Sequence, residues 1–290
     1  LQTRRLSPDA WGTVITASSV APLAFDRDRA KSGSIAQLWS YRELLYFFAW
    51  RDIKVRYRQA LLGASWAVIQ PLLNMVVFAG IFGRFAHIPS NGVPYPLFSY
   101  CALLPWTYFS VVIGLASNSL TNNQSLLTKV YFPRVLLPAG TVLAGLLDFS
   151  VAALLLVGMM IYYHVRVTWL LLLAPLAILL MVVLTLGVSM FLAAATVRYR
   201  DVKYLLPFVI QLLLFATPII YPVTMIPRRI RPILALNPCW GMVESFRACL
   251  LPNQTVDLNL IGVSIGLSVV VFAGSLLYFR KSEKSFADII

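Results

Sequence analysis

Residues 41–71 read YRELLYFFAWRDIKVRYRQALLGASWAVIQP. Arg42, Arg51, Lys54, Arg56 and Arg58 stand directly before an apolar run that begins at Leu61. A helix of a soluble domain alternates polar and apolar character around its circumference, whereas here the character changes along the chain. At helical spacing, Tyr46, Ala49, Trp50, Ile53, Tyr57, Ala60 and Leu61 share one stripe of about 120°. Arg51, Lys54 and Arg58 fall on one flank of it, Asp52 and Arg56 on the other. The spacing predicts an amphipathic helix over 35–60 that lies in a membrane surface with its aromatic rings at headgroup level. Gly63 offers a bend into the apolar run. Basic residues here serve positive-inside anchoring, and Arg51, Lys54 and Arg58 are also candidates for contact with an anionic lipid headgroup.

Composition supports this reading. Of 290 residues, 59% are hydrophobic and only 12% are charged, with a mean hydropathy of +0.79. A soluble domain carries about 25% charged residues, so this chain cannot coat itself for water. Apolar runs at 61–82, 97–120, 141–163, 169–197, 205–221 and 258–279 are each read as a span, because about 20 apolar residues cross the hydrocarbon as a helix. In lipid each backbone group must be satisfied within its own segment, and runs this long exclude barrel strands. The fold expected is all-α, with six transmembrane helices over 61–281. Residues 1–34 are polar, with scattered Pro and Gly, and read as a tail. They hold no apolar core of signal-peptide length, so no cleavage is expected. Residues 282–290 read as a short terminus.

Orientation follows from the 24 basic residues. With an even number of spans both termini share one side. Eighteen basic residues lie on that side, and six (Arg84, Arg166, Arg228, Arg229, Arg231, Arg247) lie on the other. Both termini are therefore expected in the cytoplasm. The net charge of +13 is accounted for by anionic lipid beside the spans and calls for no nucleic acid.

Catalytic chemistry is not legible. No G-x-x-x-x-G-K-[ST] occurs, so no P-loop is expected. His87 and His164 sit near span ends without metal-ligand neighbours, and no metal site is expected. Cys101, Cys239 and Cys249 include no C-x-x-C; Cys239 and Cys249 could pair, but their spacing is no signature. Asn253-Gln254-Thr255 matches a glycosylation sequon by a short pattern. Asp148 is the one acid inside a span. An intramembrane acid raises a functional hypothesis, yet proton-driven carriers use chains of such groups, so an interhelical role fits better.

The connection from Tyr221 to Asp257 is too apolar for a solvated loop. Pro222, Pro227, Pro232, Pro238 and Pro252 forbid a continuous span. Two short helices are expected at 229–236 and 240–250, with Glu244 pairing Arg247 at i,i+3. Such a segment either re-enters from the outer face, where protein or a cavity shields its backbone, or lies on the surface as a hairpin.

Four stretches carry a resemblance: RDIKVRYRQALLGASWAVIQPL, LTKVYFPRVLLPAGTVLAGLLDF, RYRDVKYLLPFVIQLLLFATPIIYP and LALNPCWGMVESFR. In this order, over residues 38 to 281, the chain resembles the permease subunit of ABC type 2 polysaccharide exporters, which move O-antigen, capsule or teichoic acid. The resemblance implies an interface helix before span one and re-entrant gate helices at the periplasmic face between spans five and six. It implies a homodimer working with two copies of a separate ATPase that binds ATP and Mg, with no cofactor in this chain. The substrate implied is a lipid-linked polysaccharide and the place the bacterial inner membrane. Gln124, Leu127, Lys129, Phe132, Pro133 and Arg134 would be the ATPase-coupling segment, and the turn at Arg198, Tyr199, Arg200 and Asp201 a second cytoplasmic one. Arg231, Asn237, Pro238, Gly241, Glu244 and Arg247 would build the gate. The family's pore aromatics would correspond to Trp66, Phe78, Phe82, Phe208, Phe215 and Tyr221. The N-terminal tail is longer than such permeases need. An ion-coupled carrier or flippase is the other reading; a membrane glycosyltransferase or acyltransferase lacks its catalytic residues.

Overall fold

The computed structural model describes residues 41–58, 65–130, 132–166, 168–252 and 258–283. Among these residues ten α-helices follow one another: α1 (Arg42–Tyr57), α2 (Trp66–Phe78), α3 (Tyr95–Ser117), α4 (Gln124–Lys129), α5 (Leu136–Tyr162), α6 (Ala174–Arg198), α7 (Val202–Ala216), α8 (Arg231–Ala235), α9 (Pro238–Leu250) and α10 (Leu258–Glu283). α2 runs on into a π-helical stretch, Ala79–Phe85, and a 3₁₀ turn, Trp169–Leu173, leads into α6. There is no strand among the described residues.

Among the described residues, five helices are long and apolar enough to cross a membrane: Val68–Phe85, Tyr95–Ser117, Leu136–Tyr162, Trp169–Arg198 and Leu258–Glu283. The protein is thus a multi-pass membrane protein. The expectation for 205–221 needs correction. The helix there is Val202–Ala216 and it stops five residues early. At 1.5 Å per residue it reaches about 22 Å, short of the roughly 30 Å hydrocarbon. Its backbone leaves the helix at Thr217, before Pro218, because the residue preceding a proline is pushed out of the α region.

α3 is the centre of the bundle. Its apolar window is 78% buried, against 6% for Val68–Phe85, which places α2 on the periphery. A helix surrounded by protein cannot leave its hydroxyls unpaired. Accordingly Tyr100 donates to the Ala152 carbonyl (3.0 Å) and Tyr108 to the Val142 carbonyl (3.1 Å), pinning α3 to α5. α6 and α10 cross at Gly187, where a Cβ would come within 2.8 Å of the Phe272 backbone. Only a side chain of glycine's size admits that approach.

In α1 the stripe residues Tyr46 and Trp50 are exposed and stack on each other, while Phe48 and Ala49 are buried against protein. Phe48 packs on Phe132 and against Gly140 at the start of α5. The helix is rolled so that its Asp52–Arg56 flank meets α5, where polar partners await it. Periodicity cannot foresee this, since it scores a charged flank as solvent-facing.

Candidate functional site

Two polar clusters lie at opposite ends of the bundle. The first joins α1 to α5. Thr141 donates to Asp52 (2.9 Å); Arg51 donates to Asp52 (2.9 Å) and to Asn123 (2.9 Å) beside α4. One turn on, Arg56 and Tyr57 both donate to the Asp148 carboxylate. Burial, then the neighbouring carboxylate, push the Tyr57 phenol up to about 12, so it keeps its proton and acts as donor. The intramembrane acid is therefore a paired structural acceptor. A cavity of about 280 Å³ opens beside it, lined among others by Arg56, Tyr57, Trp66, Gln70 and Asp148. Of the expected headgroup residues, Lys54 and Arg58 are exposed, with Lys54 near the Trp50 ring. Arg51 is not available, being held by Asp52 and Asn123. Arg56 had not been singled out for a site role; the signal was its position one turn from Asp52 on the same flank.

The expected coupling residues divide. Gln124 and Lys129 are exposed on α4 and Leu127 is half-buried there. Phe132 faces inward, 5% exposed, with its ring 5.3 Å from that of Phe48. Pro133 is half-buried. Arg134 is tied within the chain: its guanidinium donates to the Glu283 carbonyl (2.6 Å) and its N–H to the Glu283 carboxylate (3.2 Å). It anchors the last turn of α10, where a cation suits the carbonyl end of a helix.

The second cluster closes the break after α7. Residues 217–220 are buried, so their carbonyls need donors. Each has one. Ile219 N–H donates to Thr217 O (2.7 Å); Arg247 donates to Pro218 O (3.0 Å) and Ile219 O (3.1 Å); Tyr95 donates to Ile220 O (2.7 Å). Arg247 itself has no exposed surface. It donates to Glu244 at 2.7 Å and lies 4.0 Å over the Phe98 ring. Asn237 caps α9 by accepting from Cys239 N–H (3.0 Å) and also donates to the Thr217 hydroxyl (3.0 Å). Pro238 at the first helical position suits such a start. Gly241 faces Ser264 of α10 so closely that a Cβ would clash. Five of the six residues expected at a gate thus serve α9: Asn237, Pro238, Gly241, Glu244 and Arg247. Arg231 stands apart, donating to Ile226 O (3.0 Å). α9 is packed among the long helices, on α3, α6 and α10.

The expected pore aromatics do not converge within one chain. Trp66, Phe208 and Phe215 are exposed. Phe78 and Phe82 pack edge-to-face on each other and on the core, and Tyr221 donates back to Phe215 O. Cys101, Cys239 and Cys249 are free and buried; Cys239 and Cys249 share α9 and do not pair. Among the described residues no group of His, Cys, Asp or Glu has the make-up of a metal site. The sequon at 253–255 lies outside the described residues.

Apolar spans around a central helix, with a polar shelf at one end and a buried polar knot at the other, define a multi-pass helical membrane protein. The sequence profile of the ABC-2 type transporter family matches residues 43–251, and the chain belongs to that family. It is 30% identical to the O-antigen export system permease protein RfbA of Myxococcus xanthus, over 88% of this chain and 98% of the relative. It is 29% identical to the protein of the same name from Klebsiella pneumoniae, over 86% and 95%. Identity to the polysialic acid transport protein KpsM of Escherichia coli is 26%, over 80% and 91%.

Proposed function

We propose that the chain is the membrane-spanning subunit of an ABC exporter that carries a lipid-linked polysaccharide, an undecaprenyl-diphosphate-linked O-antigen, from the cytoplasm across the inner membrane. Two permease copies work with two copies of a separate ATPase that binds ATP and Mg; the chain itself catalyses nothing. The observation that carries this reading is the end-to-end similarity to O-antigen export permeases. Local geometry supports it. α4 presents Gln124, Leu127 and Lys129 at the α1 end of the bundle, where a partner can dock. α8 and α9 form the outer gate, and α7 and α2 turn aromatic and aliphatic faces away from the core.

Parity supports six crossings with both ends of the described chain on one side, and the positive-inside rule predicts that side to be the cytoplasm. Arg51 meets Asn123, and Arg134 meets Glu283, so α1, α4 and the end of α10 share one end of the bundle. Five long helices alone would leave them on opposite ends. The sixth crossing is α7 with its extension: Lys203 and Leu206 lie beside Ser117 and Asn118 at one end of α3, and Ile220 meets Tyr95 at the other.

Ion coupling draws no support, because Asp148 is engaged by Arg56 and Tyr57. Deleting the chain from its host is expected to abolish surface polysaccharide. Reconstituted vesicles are expected to need both the ATPase subunit and ATP for export and to tolerate a protonophore. Export that persists without nucleotide and stops with the protonophore would replace this reading with the carrier.

A further inference from the structure

We propose that a cavity between α8, α9 and the start of α10 is a binding site for the phosphate of an amphiphile. The cavity is about 520 Å³ and is lined by Arg228, Arg231, Trp240, Glu244, Leu258 and Ile261 among others. Its charge is the first observation. Arg228 has no acidic partner among the described residues, and Arg231 meets only backbone carbonyls there. The one carboxylate in the lining, Glu244, is already engaged by Arg247. Two guanidinium groups therefore face the space without a free counter-charge among the described residues. Guanidinium is the side chain best matched to phosphate oxygens.

The second observation is independent of charge. Trp240 is 2% exposed, and its indole Nε1 has no acceptor in the protein. A buried N–H is nearly always paired, and an orphaned one beside a cavity calls for an acceptor within it. Phosphate oxygens are acceptors only, which suits two arginines and an indole that can only donate.

The third concerns the surroundings. Met225, Ile230, Ile233, Leu236 and Leu258 are all exposed close to these arginines in the chain or in the cavity wall. Exposed apolar side chains interleaved with basic ones mark a surface at the level of lipid headgroups. A free anion has no use for them; an amphiphile with a phosphate does. Two sources share that chemistry: an anionic phospholipid of the adjacent leaflet, and a polyprenyl phosphate of the kind that carries a glycan. The second rests on the export function proposed above, and the first does not.

Native mass spectrometry of the purified full-length protein in detergent separates them, with dioleoyl phosphatidylglycerol and undecaprenyl phosphate titrated separately. Wild type and Arg229→Ala, whose side chain is exposed but not in the lining, are expected to retain lipid alike. The double variant R228A/R231A is expected to bind at least about tenfold more weakly. Trp240→Phe keeps the ring and removes the N–H, and is expected to weaken binding about threefold. Should that variant melt early, the double arginine variant, altered only at surface-reaching side chains, still decides. A drop with undecaprenyl phosphate alone assigns the site to a glycan carrier, one with phosphatidylglycerol alone to leaflet lipid, and one with both to phosphate recognition itself. Binding of both lipids by R228A/R231A within about twofold of wild type overturns the proposal. Failure of export in vesicles would leave the phosphatidylglycerol result untouched.

Discussion

Arg247 heads the largest side chains that the fold buries completely, and a buried charge must be paired or it is costly. Its helical partner was legible: Glu244 and Arg247 stand at i,i+3 on an apolar helix, and such a pair reads directly from the chain. Its other partners were not. The carbonyls of Pro218 and Ile219 and the Phe98 ring are remote in sequence, and backbone acceptors leave no mark in side-chain pattern. The difference changes what exchange of the two charges should do. Were the pair alone important, swapping Glu244 and Arg247 would preserve it. Because Arg247 also donates to two carbonyls, a carboxylate at 247 would face acceptors and repel them. Arg247→Ala is expected to cost about 3–5 kcal/mol, and the exchanged protein to remain as unstable as that variant. Melting midpoints of the detergent-solubilised proteins measure this. An exchange that restores the wild-type midpoint would show that the carbonyls do not matter. Asp148 teaches the complementary lesson. Its place in an apolar run was plain, but Arg56 and Tyr57 come from a different helix, and the roll of α1 that brings them could not be read from its stripe.

At the scale of elements, the long apolar runs and the two proline-bounded helices were legible, since length and Pro placement decide them. Two boundaries escaped. α7 ends early because Thr217 precedes Pro218 and is pushed out of the α region; what the sequence did not show is that Tyr95 and Arg247, remote in the chain, satisfy the carbonyls this frees. The family resemblance implies one coupling segment over residues 124–134. The fold splits it, sending Phe132 and Arg134 inward to α1 and α10 while α4 stays outside. Substitutions at the two places should therefore act differently. Lys129→Glu is expected to leave the melting midpoint within about 0.5 kcal/mol of wild type, as surface changes do, and to lower ATPase stimulation severalfold. Arg134→Glu sets a carboxylate against Glu283 and the carbonyl end of α10; it is expected to destabilise by about 1–3 kcal/mol with coupling lost only as folded protein is lost. Stability assays paired with ATP turnover per folded complex decide. A folded Arg134→Glu protein with no coupling would return that residue to the partner interface.

For the whole molecule, the distribution of basic residues predicts cytoplasmic termini, while the contacts between elements bear on parity without using charge at all. Side-chain contacts hold α1, α4 and the last turn of α10 at one end, and the α2–α3 connection emerges at the other, beyond the π-helical stretch that ends at Phe85. The contacts argue that both ends of the described chain share one side, and the positive-inside rule alone predicts that this side is the cytoplasm. They can be tested apart with single cysteines, because Cys101, Cys239 and Cys249 are buried and give little background. Ser90 lies in the α2–α3 connection and Ser282 in the last turn of α10. In intact cells, stripped of their outer membrane, an impermeant maleimide is expected to modify Ser90→Cys and to spare Ser282→Cys until the membrane is opened. The reverse pattern would keep the even parity and invert the molecule, which would refute the charge argument alone. Modification of both from outside would refute the parity itself, leaving α7 and its buried extension as something other than a sixth crossing.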